Sequence, residues 1–352
     1  MKIAITRREY ITHLDGVNRF IANLAESLIK LGNTVKVVTW SFYGTEKDEI
    51  GKFFKDAHML EEEVEIIPLN RAEMKLNWAK IAFDWFTKGS EILKDFDAVV
   101  INGIVPIRFK KTKVAVNHGF TFKTNKFYTL VAKRLYKKCD KVVCVSKKLS
   151  KEFQEFSGIE PEVIPLPLKL KNFKVKKDRE NVIVHIGTRD VKNVDISVKT
   201  VEILRNLGHN FRLVVIGART SHVLKATAGK DFVDLKFNLS EKEKIEILSS
   251  SKALILPSSY ETFSYAVLEA LACGTPAIVS EAIPDEVVIN GFNGFRVRSF
   301  NPDDYAKALL KIFENDEWYR ISSNAVEFSK QFDHIEIAKR YLSLISTSGS
   351  PS

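Results

Sequence analysis

The stretch LILPSSYETFSYAVLEALACGTPAIV, Leu254 to Val279, decides the fold. Leu254 to Leu256 is an apolar run, and Pro257-Ser258-Ser259 ends it as a turn ends a buried strand. Phe263, Ala266, Val267, Ala270 and Leu271 follow the i, i+3, i+4, i+7, i+8 spacing. That predicts a helix starting near Thr262 with one buried stripe. Gly274 stops the helix, and Pro276 opens a second apolar strand, AIVS. Two carboxylates bracket the helix, Glu261 at its N-terminus and Glu269 eight residues on. At ~1.5 Å rise per residue their backbones stand ~12 Å apart. Carboxylates acting together on one glycosidic bond stand ~5–9.5 Å apart. Side-chain reach allows that pairing, but the spacing better suits a grip on two ends of one extended ligand. The N–H groups of Thr262, Phe263 and Ser264, in the expected first turn, offer an anion or hydroxyl site.

Working upstream, Val182 to Ile186, VIVHI, reads as a strand. Gly187-Thr188-Arg189-Asp190-Val191-Lys192-Asn193 is its loop, leading into a helix with Val194, Ile196, Val198, Val201 and Leu204 apolar. Arg212–Ile216 and Val233–Phe237 are further strands, and Ser240 caps the helix that begins at Glu241. Downstream, Pro284 to Asn290 reads as a short helix. Helices follow from Pro302 to about Glu314, from Glu317 to Phe332 and from His334 to Ile345, and Thr347 to Ser352 reads as a frayed tail.

The chain opens with a strand, Lys2 to Thr6, then Asp15-Gly16 and a helix with Val17, Phe20, Ile21, Leu24, Leu28 and Leu31 on one face. Gly32 ends it and TVKVVT, Thr34 to Thr39, is the next strand. Strand, glycine turn, helix, strand is the start of a Rossmann-like half, with Gly16 at its turn. Asp48 to Glu63 is charged and loop-like, whereas Trp78 to Leu93 reads as a helix burying Trp78, Ile81, Trp85, Ile92 and Leu93. DAVVI, Asp97 to Ile101, and KVAVN, Lys113 to Asn117, are strands, and His118 stands at the carboxyl end of the second. In open α/β sheets ligands bind outside such ends. Asn125 to Lys138 is an amphipathic helix with Phe127, Leu130, Val131, Leu135 and Tyr136 apolar. KVVCV, Lys141 to Val145, is a strand, and Ser146 caps the helix after it. Residues 169 to 180, KLKNFKVKKDRE, read as a charged linker.

The central stretch resembles the signature of retaining glycosyltransferases of family 4, which usually reads P-S-x-x-E-G-F-G-x-x-x-x-E-A-M-A-x-G-x-P-V. Glu261 and Glu269 occupy its two acidic positions, while Thr262 and Ser264 stand where glycines are usual, and Leu271 also departs. The resemblance implies a GT-B fold of the α/β class, two Rossmann-like domains facing across a cleft, with the C-terminal helix crossing back to the first. The boundaries implied are 1–168 for the acceptor domain, 169–325 for the nucleotide-sugar domain and 326–346 for the returning helices. It implies transfer of a sugar from a UDP- or GDP-sugar, a substrate and not a cofactor, with retention at the anomeric carbon. His118 then faces the transferred sugar as a neutral donor. Glu261 holds sugar hydroxyls, and Glu269 the ribose. Gly16, Thr262, Phe263 and Ser264 line the donor, and Phe237-Asn238 falls at the base. Arg189 and Lys192 neutralise the diphosphate, which gains negative charge as the bond breaks. With cations there no metal is needed. Asp95-Phe96-Asp97 matches a metal-binding motif by letters only.

Composition narrows the setting. A chain of 352 residues suggests two domains, and its 45% hydrophobic content builds ordinary cores. No apolar run approaches the ~20 residues of a spanning helix, and the N-terminus, going straight into a strand, does not read as a signal peptide. Cys139, Cys144 and Cys273 form neither a disulfide framework nor a metal pattern, which points to a reduced cytosol. The net charge is +10, and fourteen lysines and arginines lie between Arg108 and Lys151 against a single acid, Asp140. Such a field attracts anionic membranes or phosphorylated, lipid-linked or glycan acceptors; nucleic acid is not the expected partner. The expected setting is the cytoplasm, with the basic face either docked on the inner face of the membrane or simply solvated, two readings of equal weight. Two other functions fit the same residues: a nucleotide-sugar epimerase, and a nucleotide-sugar-binding module without turnover.

Overall fold

The computed structural model of the chain describes residues 1–12, 15–42, 49–70, 75, 77–119, 126–314 and 317–348. The chain divides into two compact units, Met1–Pro167 together with Phe332–Ser352, and Leu168–Gln331.

The first unit holds β1 (Lys2–Tyr10), α1 (Gly16–Lys30), β2 (Thr34–Ser41), α2 (Ile50–Ala57) and β3 (Glu65–Pro68). After α3 (Trp78–Asp84), a π-helical turn (Trp85–Gly89) and α4 (Ser90–Leu93) come β4 (Ala98–Asn102) and β5 (Thr112–Asn117). Then follow α5 (Lys126–Tyr136), β6 (Lys141–Cys144), α6 (Lys147–Ser157) and β7 (Glu162–Val163). The strands form one parallel sheet in the order β3-β2-β1-β4-β5-β6-β7. Every residue of β4 is buried, as a strand covered on both faces requires. The order reverses between β1 and β4, and an open sheet of this kind takes ligands at such a switch point.

Two expectations fail here. Ile50 to Ala57 is helical, because Ile50 and Phe54, one turn apart, bury themselves against the unit despite the charges around them. Trp78 is exposed, since α3 turns its Ile81 and not its first residue inward. Asp97 is structural: it accepts from the Lys2 N–H at 2.9 Å and pairs with Lys111 at 3.2 Å.

The second unit holds β8 (Glu180–Ile186), α7 (Val194–Asn206), β9 (Arg212–Gly217), α8 (Ser221–Thr227), β10 (Val233–Phe237) and α9 (Glu241–Ser250). It continues through β11 (Ser251–Leu256), α10 (Tyr265–Ala272), β12 (Ala277–Ser280), β13 (Gly294–Val297), α11 (Pro302–Phe313) and α12 (Glu317–Ser329). Its sheet, again parallel, runs β10-β9-β8-β11-β12-β13 and reverses between β8 and β11. Pro284 to Asn290, expected as a helix, is a run of turns held by Asn293, whose side chain bonds the Ile289 N–H and the Val287 carbonyl. Arg179, in the expected linker, is structural: its guanidinium donates to the carbonyls of Leu248, Ser251, Cys273 and Gly274 and to the Thr275 hydroxyl.

The last helix, α13 (His334–Ser348), belongs to the first unit, where it lies on α1 and β5 with Ile337, Ala338 and Tyr341 buried. The Tyr341 ring meets Phe20 of α1 edge-on at 5.9 Å, and Arg340 donates to the Val163 carbonyl at 2.5 Å.

Candidate functional site

In the second unit the sequence places two loops at the carboxyl ends of β8 and β11, the strands flanking the switch point. The loops are stitched to each other. The Asn193 side chain donates to the Pro257 carbonyl at 2.7 Å, and the Ser259 N–H to the Val191 carbonyl at 2.8 Å. Within this frame Lys192 and Glu261 meet in a close ion pair, and Ser258 Oγ approaches the same carboxylate oxygen at 3.4 Å. Both side chains are nearly buried, so the pair is only lightly screened. Sequence reasoning assigned them separate ligands; it did not foresee that they hold each other.

Gly187 makes the lysine's place. Its φ is +108°, a conformation that suits glycine, and a Cβ there would come within 3.0 Å of the Lys192 stem. His185, absent from the sequence-based site, fixes the loop's start. Its Nε2 lies 2.8 Å from the Gly187 carbonyl and its Nδ1 2.8 Å from Ser197 Oγ. A carbonyl only accepts, so Nε2 carries the proton and Nδ1 accepts from the hydroxyl. Burial, with the charge of Lys192 adding, pushes the imidazole down to about 3 and keeps it neutral. A histidine in an apolar strand offers sequence no sign of this, beyond its place two residues before the loop glycine.

Arg189 differs from Lys192: it is exposed, and its guanidinium has no hydrogen-bond or ion-pair partner among the described residues. The helix after Glu261 begins later than its apolar spacing predicts. Ser264 takes φ +107° and ψ 102°, which no helix accommodates, so α10 starts at Tyr265. Thr262, Phe263 and Ser264 form the bend before it, with Phe263 buried. The first-turn N–H groups therefore belong to Tyr265 and its successors. Nor is there a single stripe: Val267 to Ala272 is buried throughout and Ala266 is not. Glu269 lies in this buried run, and its Oε2 pairs with Lys244 of α9 at 2.8 Å. Phe237 and Asn238 close β10, Asn238 with φ +55°. Among the described residues no cluster of three His, Cys, Asp or Glu side chains could hold a metal ion.

In the first unit, His118 stands just beyond β5 with Nε2 2.9 Å from Asn102 Oδ1 at the end of β4. The pair thus lies one strand from the switch point. Sequence reasoning did not single out Asn102. Phe20 meets the imidazole edge-on at 4.7 Å. Burial, with the positive charge of Arg7, pushes the His118 pKa down to about 3. With Nε2–H directed at Asn102, Nδ1 is the ring's acceptor, so toward a ligand hydroxyl the imidazole accepts, contrary to the donor role the resemblance implied. Gly16 is the first residue of α1, and the Asp15 before it caps the helix by accepting from the Asn18 N–H at 2.8 Å. The same Asp15 pairs with Arg7 at 2.8 Å. Phe120, Phe122 and Lys123 of the basic stretch lie outside the described residues.

Two parallel Rossmann-like domains, each with its loops at a switch point, define a GT-B fold. Residues 14–171 match the family model for Glycosyltransferase Family 4, and residues 169–328 match that for glycosyl transferases group 1. The chain belongs to the GT-B glycosyltransferases of family 4. It is similar to a GDP-mannose-dependent alpha-(1-6)-phosphatidylinositol dimannoside mannosyltransferase of Mycobacterium tuberculosis, at 29% identity over 51% of each chain. It is also similar to an N,N'-diacetylbacillosaminyl-diphospho-undecaprenol alpha-1,3-N-acetylgalactosaminyltransferase of Campylobacter jejuni, 26% identical over 70% of this chain and 63% of that one. The chain spans about half the length of the mycobacterial relative it matches. Among solved structures, the Anabaena protein HepE in complex with UDP and glucose superposes with a TM-score of 0.78 at 15% identity, covering 99% of this chain and all of that one.

Proposed function

We propose that the chain transfers a sugar from a UDP- or GDP-sugar to an acceptor, with retention at the anomeric carbon and without a metal ion. The Lys192–Glu261 ion pair carries the reading. A near-buried ammonium already matched to a carboxylate is a charge that can be handed over. When a sugar diphosphate enters, Lys192 turns from Glu261 to the phosphate, and Arg189, exposed beside it, adds a second cation. As the sugar–phosphate bond breaks, the electron pair goes to the leaving diphosphate, which these cations stabilise in place of a metal, while the acceptor hydroxyl bonds the anomeric carbon on the same face and gives its proton to the leaving phosphate oxygen. Glu261, released, accepts from sugar hydroxyls and bears on the positive charge growing at the anomeric carbon. Ser258 orients it. Glu269 holds the ribose through the carboxylate that Lys244 steadies. His118, neutral and with its Nε2–H on Asn102, offers Nδ1 as a hydrogen-bond acceptor to a ligand hydroxyl in the first unit.

The acceptor we propose is lipid-linked or close to a membrane. The mycobacterial relative is named for a phosphatidylinositol dimannoside and the Campylobacter relative for a diphospho-undecaprenol. On α5, Leu130 and Val131 are exposed among the lysines, contrary to the buried face the pattern predicts. An apolar tip amid cations suits a headgroup layer, where each lysine contributes about 1 kcal/mol. The test is a panel of nucleotide sugars scored by thermal stabilisation, since a bound donor raises stability by mass action. The best donor then goes to a transfer assay in which NMR reads the anomeric configuration of the product. An inverted product, or donor consumed equally without acceptor, refutes the reading. Sedimentation with vesicles tests the membrane: equal failure to bind neutral and anionic vesicles at low salt discards docking.

A further inference from the structure

Parallel neighbouring strands are usually joined by a crossover that includes a helix. Between β4 and β5 the chain crosses back without one: residues 103–111 return as an irregular strip. A strip covers less of the sheet face than a helix, and along it lies a half-open groove of about 770 Å³. Its walls are apolar: Ile101 of β4, Ile104, Val105, Ile107 and Phe109 of the strip, and Leu135 of α5. Its remaining lining is basic apart from Cys139, and no carboxylate lines it. Lys110 and Lys138 are exposed at the rim with no ion-pair partner among the described residues, and Arg108 lies 4.0 Å over the Phe86 ring. Lys113 and Lys138 sit near the amino ends of β5 and β6, the opposite end of the sheet from His118. None of the candidate site residues lines this groove.

Lys94 and Lys111 of the lining are already paired, with Glu91 and Asp97. Hydrocarbon walls with Lys110 and Lys138 left unpaired among the described residues fit one kind of ligand, an anion carrying an apolar chain. We infer that this groove binds a lipid phosphate, its chain against Ile104, Ile107 and Leu135 and its phosphate against Lys110 and Lys138. This deepens the membrane-proximal reading above, but its test needs neither donor nor turnover. The probe is decyl phosphate below its micelle-forming concentration, titrated into the full chain by calorimetry. Saturable binding is expected, at least about tenfold tighter than either decanol or inorganic phosphate. The Lys110→Glu/Lys138→Glu double variant weakens it at least about tenfold, and both positions are exposed, so the fold is unaffected. Leu135→Trp, which fills the groove, weakens it similarly; its melting curve and circular dichroism show whether it folds. Decyl phosphate bound no tighter than decanol or inorganic phosphate overturns the inference, and so does unchanged binding in the double variant. Decyl phosphate binding without attachment to anionic vesicles upholds the groove and refutes only the docking.

Discussion

At Lys192 a single ammonium serves the resting protein and the proposed reaction, and Arg189 serves only the second. Their substitutions therefore separate. Each, changed to Ala, removes a charge-assisted contact of roughly 1.5–3 kcal/mol, so donor binding and turnover fall about ten- to hundredfold. Arg189→Ala leaves the melting temperature unchanged, because the side chain is exposed and unpartnered among the described residues. Lys192→Ala lowers it, because Glu261 is left nearly buried and unpaired. Wild-type turnover in either variant refutes the assignment. Three residues beyond Glu261, Ser264 takes a backbone conformation that costs a non-glycine residue about 1–3 kcal/mol. Ser264→Gly relieves it but gains unfolded-state freedom, for a net stabilisation of about 1 kcal/mol in urea unfolding; a fall in the midpoint refutes the strain. His185 is neutral when folded, with its pKa lowered to about 3, and titrates near 6.5 when unfolded. Its contribution is thus full above about pH 6.5 and is lost as the pH falls toward 3, at up to ~1.4 kcal/mol per pH unit. Between pH 7 and 5, His185→Gln should lose less stability than the wild type loses; parallel curves refute this.

At the scale of elements, what sequence disclosed was local. Ser146 and Ser240 cap α6 and α9 as their positions indicate, through bonds to the Leu149 and Glu243 N–H groups. The buried strands announced themselves by continuous apolar runs. What sequence withheld was long-range. Lys192 and Glu261 are 69 residues apart, and no spacing rule joins them. Nor does one join Lys244 to Glu269, or His185 to Ser197 across a strand and a helix. The start of α10 was misjudged because Phe263 fits the helical period while the backbone at Ser264 does not. Arg179 was hidden for another reason: its neighbours are charged, so it read as solvated. It satisfies four carbonyls where α9, β11 and the end of α10 meet. Leu248 and Gly274 keep the Thr275 and Ser322 hydroxyls as donors, but Arg179→Met takes the guanidinium from the Ser251 and Cys273 carbonyls, at about 1–3 kcal/mol each. A loss of roughly 3 kcal/mol or more in the unfolding of the second unit is expected; a loss below 1 kcal/mol refutes the role.

At the scale of the whole molecule, the first unit is assembled from both ends of the chain. α13 supplies Ile337, Ala338, Tyr341 and Ile345 to its core. Ending the chain at Gln331 exposes Phe20 and the face of α1 that Tyr341 covers. Such a truncation should lower the melting of the first unit while the second, continuous from Leu168 to Gln331, unfolds as before; two unchanged transitions refute the contribution of α13. The same arrangement has a consequence on the ribosome. Chains lengthen at about 5–20 residues per second, and 164 residues separate Pro167 from Phe332. For roughly 8–33 s the first-made sheet waits without its closing helix. The second unit's sequence is complete as that interval ends, before α13 is made, so it can fold first. The order of maturation is then the reverse of the order of synthesis, and the nascent first unit, its α1 face bare, is a natural client for a chaperone.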